Sequence, residues 1–230
     1  MNKNFLSIII PVLNEENQLN ILLESIREQS CLENEIIFVD GGSTDNSIEW
    51  LKQQKEIKFI QTSKGKAHQQ NKGAKIATSE FLYFLHADSK PPKGFDQLIM
   101  NTIKKGEKAG CFRLKFSTNH WALNLAAYAS RFNNKFCRGG DQSLFIQKKY
   151  FLELNGFNEK YVVCEDGELI DRIYKKYSFF IIPQQITTSS RRFIKNGVLK
   201  LQFHFMIIHL MRALGFKPGI LEKYYSHFVK

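Results

Sequence analysis

Three groups of side chains in this sequence carry more chemistry than solubility requires. Asp40 closes the apolar run EIIFVD, where a carboxylate can accept hydrogen bonds from a ribose or a nucleobase. His86 and Asp88 follow a second apolar run, FLYFL. One carboxylate plus phosphate oxygens is enough to hold a hard divalent cation. Glu165 and Asp166 are adjacent, and in a closed pocket two such acids cannot both ionise freely. One of them is then pushed toward the range where it exchanges a proton. Cations complete the set: Lys64 and Lys66 before a helix whose N-terminus favours anions, and Arg191 with Arg192, whose planar forks fit phosphate oxygens. Each has a plainer reading as a helix-capping acid or a solvated surface charge.

These residues need a frame, and the apolar pattern supplies one. Residues 6–12, 35–40, 57–61 and 81–86 read as strands. Helices after Asn14, after the caps Ser43, Thr44 and Asp45, and over 66–77 separate them. Alternation at this spacing argues for βαβ units and an α/β fold with a mostly parallel central sheet flanked by helices. Ligands on such sheets collect beyond the carboxyl ends of the strands. Those ends hold Pro11 to Glu15, Asp40 to Asp45 and His86 to Asp88, three polar clusters that make one pocket. Further on, 110–117, 143–147 and 179–183 read as strands, and 120–132, 167–176 and 198–214 as helices.

At 230 residues, 43% hydrophobic and 24% charged, the chain fits one globular domain, 1–230. It divides into a front half (1–90), a back half (91–193) and a helical tail (194–230). The net charge is +11, unevenly placed: −5 over 1–62, +9 over 63–190 and +7 over 191–230. Such a balance suits nucleic acid, anionic membrane or phosphorylated small molecules, and cannot by itself choose. The glycines of VDGGSTDNS are not GxGxxG, and SKGK lacks the P-loop glycine, Ile60 standing five residues before Gly65. Dinucleotide-binding and NTPase readings fall on those two points. No signal peptide and no apolar run near the ~20 residues of a membrane span are present. The four cysteines form no CxxC pair, so reduced thiols and a cytoplasmic chain are expected.

Five segments in order, SIIIPVLNEE, VDGGSTDNS, GKAHQQNKGAKIATSEFLYFLHAD, GGDQSLFI and CEDGELIDRI, resemble the family 2 glycosyltransferases of GT-A fold. The likeness runs over 5–193 and is nearest to small bacterial members whose metal motif reads HAD rather than DxD. It implies transfer of a sugar from a nucleotide donor, a UDP-sugar by preference, to an acceptor hydroxyl, with inversion and with Mn²⁺ or Mg²⁺. It places Pro11, Glu15 and Asp40 at the nucleotide and Asp88 at the metal, with His86 as a second ligand or a packing residue. Lys64, Lys66, Arg191 and Arg192 fall at the diphosphate, Gly140, Asp141 and Glu165 on the acceptor side, and Asp166 as catalytic base. Gln70 stands where many members carry Arg, so the charged part of the usual donor contact is not expected from that position.

Cys164 reads as a packing residue, and Glu168 and Asp171 as solvated charges. His120, Trp121 and the aromatic 128–136 stretch shape an acceptor cavity or pack in the core. The helix over 198–214 is too polar to span a membrane and too apolar for a free surface. It packs on its own domain, joins a second subunit in a homo-oligomer, or lies on the inner face of the cell membrane with Lys200, Arg212, Lys217 and Lys223 at the headgroups. The last arrangement suits a lipid-linked acceptor. Two rivals stand beside transfer. A sugar-1-phosphate nucleotidyltransferase needs a basic, glycine-rich loop where this chain has PVLNEEN. A noncatalytic nucleotide- or nucleic-acid-binding protein is favoured by charge alone.

Overall fold

Ser7–Val12 (β1) places Ile8, Ile10 and Val12 in one hydrophobic cluster and Ile9 in another, all fully buried. A strand apolar at nearly every position, here all but Ser7, is covered on both faces. Phe81–Phe84 (β4) does the same, with Tyr83 on the first side and Leu82 and Phe84 on the second. The computed structural model describes residues 5–229, so residues 1–4 and 230, at the ends of the expected single domain, lie outside the described residues.

From β1 the chain passes through Glu16–Gln29 (α1) to Glu35–Asp40 (β2), then through Ser47–Gln53 (α2) to Lys58–Gln61 (β3). Lys66–Ile76 (α3) leads back to β4, which lies on the other side of β1. Ser89–Lys90 (β5), Phe95–Lys104 (α4), Ala109–Phe116 (β6), Trp121–Ala129 (α5), Leu144–Gln147 (β7) and Lys148–Glu153 (α6) follow. Glu165–Lys176 (α7), Phe179–Thr188 (β8), Arg191–Asn196 (α8), Val198–Ala213 (α9) and Pro218–Phe228 (α10) complete the order.

The eight strands form one sheet in the order β3-β2-β1-β4-β7-β6-β8-β5. β7 runs antiparallel to both β4 and β6, and β5 antiparallel to β8; the other pairings are parallel. The order reverses direction at β1 and β4. Right-handed crossovers then put α1 on one face of the sheet and α3 on the other, and leave a crevice at the carboxyl ends of β1 and β4. Leu19, Leu22 and Ile26 of α1 pack in the first cluster with Phe95 and Ile99 of α4. Ala67 and Ala74 of α3 pack in the second with Leu169, Ile170 and Ile173 of α7.

One departure from the sequence reading has a physical cause. The strand expected over 179–183 continues to Thr188, because the pairing of β6 with β8 skips from Phe112↔Ile182 to Arg113↔Gln185. Pro183 falls in that bulge, where its missing N–H costs no ladder hydrogen bond. The helical tail holds α9 and α10, and α8 leads into it from Arg191. α9 and α10 bury Leu201, Ile208 and Leu221 in a third cluster with Leu114 and Phe116 of β6, Leu123 of α5 and Phe193 of α8.

Candidate active site

Every residue singled out for chemistry belongs to one edge of the sheet, or to a segment leading off it. The ends of β1, β2, β3 and β4 deliver Glu15, Asp40, Lys66 and His86 with Asp88. β7 runs the other way, so its start lies at that edge and brings Gly140 and Asp141. β8 ends there too, and the following α8 brings Arg191.

The centre of this edge is an acid pair with one cation. Lys66 Nζ lies 2.8 Å from Asp166 Oδ2 and 2.9 Å from Glu165 Oε1. Both carboxylates are nearly buried at the first turn of α7, where the helix dipole favours negative charge. Burial works against ionisation of Asp166, but the charge of Lys66 and the imidazole of His86 outweigh it and hold the carboxyl well below its ordinary range. Burial raises Glu165, and the neighbouring Asp166 charge adds to that rise against the pull of Lys66. Burial opposes the charge on Lys66 as well, and the two acids overcome it and raise its pKa.

His86 spans two carboxylates, Nδ1 at 3.5 Å from Asp141 Oδ1 and Nε2 at 3.7 Å from Asp166 Oδ2. Burial and Lys66 oppose its protonation, yet Asp141 and Asp166 push its pKa up to about 9. An imidazole facing acids through both nitrogens is favoured in its protonated form.

Gly140 touches this cluster through its backbone. A Cβ there would overlap Asp166 Oδ2 and lie 2.7 Å from Asp166 Cγ and 2.8 Å from His86 Cε1, so only glycine admits the acid. The loop holding Gly140 is organised by Arg138, a buried cation that the sequence did not mark. Its Nη2 donates to the carbonyls of Ser130 and Phe132, at 2.6 Å each, and its Nη1 reaches Gln142 Oε1.

At the β1 end, Arg191 Nη2 lies 3.4 Å from Glu15 Oε2. Burial and the charge of Asp88 raise Glu15 against the pull of Arg191. Arg191 reaches this position because β5 pairs with β8 through Ser89 and Thr188, and the Ser189 N–H donates to the Asp88 carbonyl at 3.1 Å. Pro11, on β1, is partly buried. Asp40 is fully buried, and its carboxylate accepts from the N–H groups of Gly42 (2.8 Å) and Ser43 (3.1 Å). That acid is engaged by its own loop, whose turn uses the positive φ of Gly42. Gln69, adjacent to the Gln70 flagged in the sequence, donates to the carbonyls of Val12 and Val39 and ties α3 to both strand ends. Gln70 itself is fully buried with neither amide atom hydrogen-bonded.

Several expected roles move. Lys64 is exposed, and only Lys66 of that pair reaches the acids. Arg192 turns away from Arg191, its guanidinium lying against the Phe205 and Tyr225 rings. Arg212, read as a headgroup cation, is buried and paired with Asp171 of α7; Asp171 is accordingly no free surface charge. Glu168 is likewise engaged, by Arg172 one turn on. Trp121, Tyr128, Phe132 and Phe136 do not pack in the core; each is more than half exposed. The Cys164 thiol is pushed up to about 12 by burial, which fits packing and not nucleophilic attack.

A divalent cation can take one protein carboxylate and complete its shell with substrate oxygens and water. Asp88 suits that part. It is half-buried, its carboxylate accepts no hydrogen bond from another residue among the described residues, and burial with the charge of Asp141 raises its pKa against the pull of His86 and Lys66, a balance that a bound cation would shift toward the carboxylate. Among the described residues no three His, Cys, Asp or Glu side chains group as a complete metal cage.

Residues 7–156 match the family model for Glycosyl transferase family 2. The chain belongs to that family. It is a glycosyltransferase, and the match runs from β1 to just beyond α6, leaving α7 with the acid pair, β8 and the C-terminal helices outside it. A PGL/p-HBAD biosynthesis glycosyltransferase of Mycobacterium bovis is 27% identical over 180 residues, 73% of this chain and 69% of the relative. The GalNAc(5)-diNAcBac-PP-undecaprenol beta-1,3-glucosyltransferase of Campylobacter jejuni is 26% identical over 193 residues, 76% of this chain and 62% of the relative. Among solved structures, S. aureus TarS 1-349 superposes with a TM-score of 0.68 at 16% identity, over 97% of this chain and 70% of that one. The mannosyltransferase PcManGT of Pyrobaculum calidifontis, in complex with GDP-Man and Mn²⁺, gives 0.66 at 18% identity, over 96% and 69%. At those identities the likeness shows the fold, which is GT-A. Family membership removes both the nucleotidyltransferase and the noncatalytic readings.

Proposed function

We propose that this glycosyltransferase moves a sugar from a nucleoside-diphosphate donor, a UDP-sugar by preference, to an acceptor hydroxyl with inversion, and that Asp166 is the general base. The observation that carries the reading is the Asp166 carboxylate, nearly buried, paired with Lys66 and facing His86 after β4 and Gly140 before β7. Asp166 takes the proton of the acceptor hydroxyl as that oxygen bonds to the anomeric carbon. The bond from that carbon to the diphosphate breaks on the opposite face, and its electron pair leaves with the phosphate oxygen. Glu165, Gly140 and Asp141 border the acceptor side.

Pro11, Glu15 and the loop held by Asp40 border the nucleoside, and Lys64 and Arg191 supply charge toward the diphosphate. Asp88 would hold Mn²⁺ or Mg²⁺ with phosphate oxygens, and a cation bound there neutralises charge on the leaving group. Lys66 faces both tasks. Any share of its charge drawn by a donor diphosphate raises the proton affinity of Asp166 as the reaction needs it. The UDP bound in one TarS structure and the GDP-Man and Mn²⁺ bound to PcManGT support the donor class. The undecaprenol in the Campylobacter relative's name supports a lipid-linked acceptor.

The test screens UDP-, GDP- and dTDP-sugars with Mn²⁺ or Mg²⁺ by thermal shift and nucleotide release. One nucleotide class is expected to stabilise the protein. Asp166→Asn should keep that shift and lose turnover by roughly 10²-fold or more. Normal transfer by Asp166→Asn rules out the base.

A further inference from the structure

We propose that α5, the turn after it and α9 form a surface that rests on an anionic lipid bilayer, an inference that goes beyond the transfer reaction and does not depend on it. α9 is apolar nearly all round, yet only one side is covered. Leu201 and Ile208 are buried in the third cluster, while Leu199, Phe203, Met206, Leu210 and Leu214 are each more than half exposed. Those five recur at spacings of four, three, four and four, a single helical stripe.

α5 repeats the design. Leu123 is buried in the same cluster, and Trp121, Leu125, Tyr128 and, just past its end, Phe132 make a second exposed stripe at the same spacing. The two helices pack against each other. Phe136, in the following turn, extends the stripe and is 61% exposed. Scattered apolar residues on a surface are ordinary; two aligned stripes on packed helices mark an interaction face.

Charge selects the partner. Residues 108–140 hold six Lys and Arg and no acid, and 191–230 hold eight with Glu222 as the sole acid. Arg131, Lys135 and Lys200, within the striped segments, and Lys195, Lys217 and Lys223, on the segments flanking α9, are all exposed. An apolar face set in cations fits acyl chains beneath anionic headgroups. A second copy docking by the same face would set like charges against each other. Among the described residues no helix is long and apolar enough to cross a membrane, so contact lies in the interface plane. The face also leads into the site: from Phe136 the chain reaches Gly140 and Asp141 beside Asp166.

The test is flotation of the full chain with vesicles of phosphatidylglycerol in phosphatidylcholine, against phosphatidylcholine alone. Binding is expected to the anionic vesicles, weakening at least tenfold between about 0.1 and 0.5 M salt as the charges are screened. Phe203→Gln with Leu210→Gln should lose tenfold or more of that binding. Its melting temperature and donor hydrolysis should not change, because both side chains are more than half exposed, on the side of α9 away from the buried Arg212. Absence of binding to anionic vesicles, or equal binding by the double variant, overturns the proposal. So does wild-type dimerisation in sedimentation velocity that the double variant abolishes, which would make the occupant a second copy. Flotation reads no transfer, so failure here leaves the reaction assignment standing.

Discussion

Nη1 of Arg212, on α9, donates to the carbonyl of Gly167 at 2.7 Å, one residue beyond Asp166. The same guanidinium pairs with Asp171, and a Cβ on Gly167 would fall 2.9 Å from its Cζ. The C-terminal helices are thus braced against the helix that presents the acid pair. Arg212 acts on Asp166 through that helix and not by contact with the reacting atoms.

For Arg212→Met we expect kcat to fall about tenfold or more with the donor KM within about twofold, since the loss is one of placement. Stability should drop by roughly 3 kcal/mol, the lower end for breaking a buried pair. Arg212→Lys should recover part of kcat. A variant with lowered stability and normal kcat at a temperature where it is folded would make Arg212 structural only.

Gly140→Ala and its neighbour form a matched test. The added methyl at 140 must displace Asp166 or the loop, so turnover should fall about 10²-fold while nucleotide binding persists. At Gly139 a Cβ meets nothing within 4 Å, and Gly139→Ala should be near neutral. Equal activity of the two variants would contradict the close approach of Gly140 to the acid.

Lys66→Met tests the cation. With the opposite charge gone, the Asp166 pKa should climb, and the acidic limb of kcat/KM should move up by about one to three pH units. Stability carries its own signature. The folded pKa of Asp166 lies below its unfolded value, so its share is whole above about pH 4 and fades as pH falls further. Lys66 has a raised folded pKa, so its share is whole below about 10.5 and fades above. The deficit of the variant, about 2 kcal/mol for a pair between exposed and buried, should be widest between those limits. A flat difference in urea unfolding from pH 3 to 7 would contradict this.

Asp88→Ala should abolish the metal-dependent part of nucleotide binding. Calorimetry of UDP with and without Mn²⁺ measures it directly. Identical heats for wild type and variant in both buffers would remove Asp88 from the metal.

The strand ends were legible because a doubly covered strand must be apolar throughout and must stop where polarity returns. Asp40, His86 and Asp88 stand at such stops, and the acid pair stands at a helix start. The pairing between them was not legible. Lys66 meets Asp166 because Asn71 of α3 exchanges hydrogen bonds with Phe157, its amide donating to the Phe157 carbonyl and its Oδ1 accepting from the Phe157 N–H, both at 2.9 Å. That contact spans 86 residues and leaves no local pattern. The inward turn of Arg212 was hidden for a related reason: a helix apolar nearly all round does not announce which side is covered.

Sequence by itself determined the alternating frame, the edge where the chemistry gathers and the family, since these follow from local periodicity and from motifs in order. Tertiary structure decided which charges are partners. It gave Lys66 and His86 to Asp166, Arg212 to α7 and Arg192 to the tail, and it left two apolar stripes bare. Burial and distance fix such choices, and both depend on segments that meet only when the sheet is assembled.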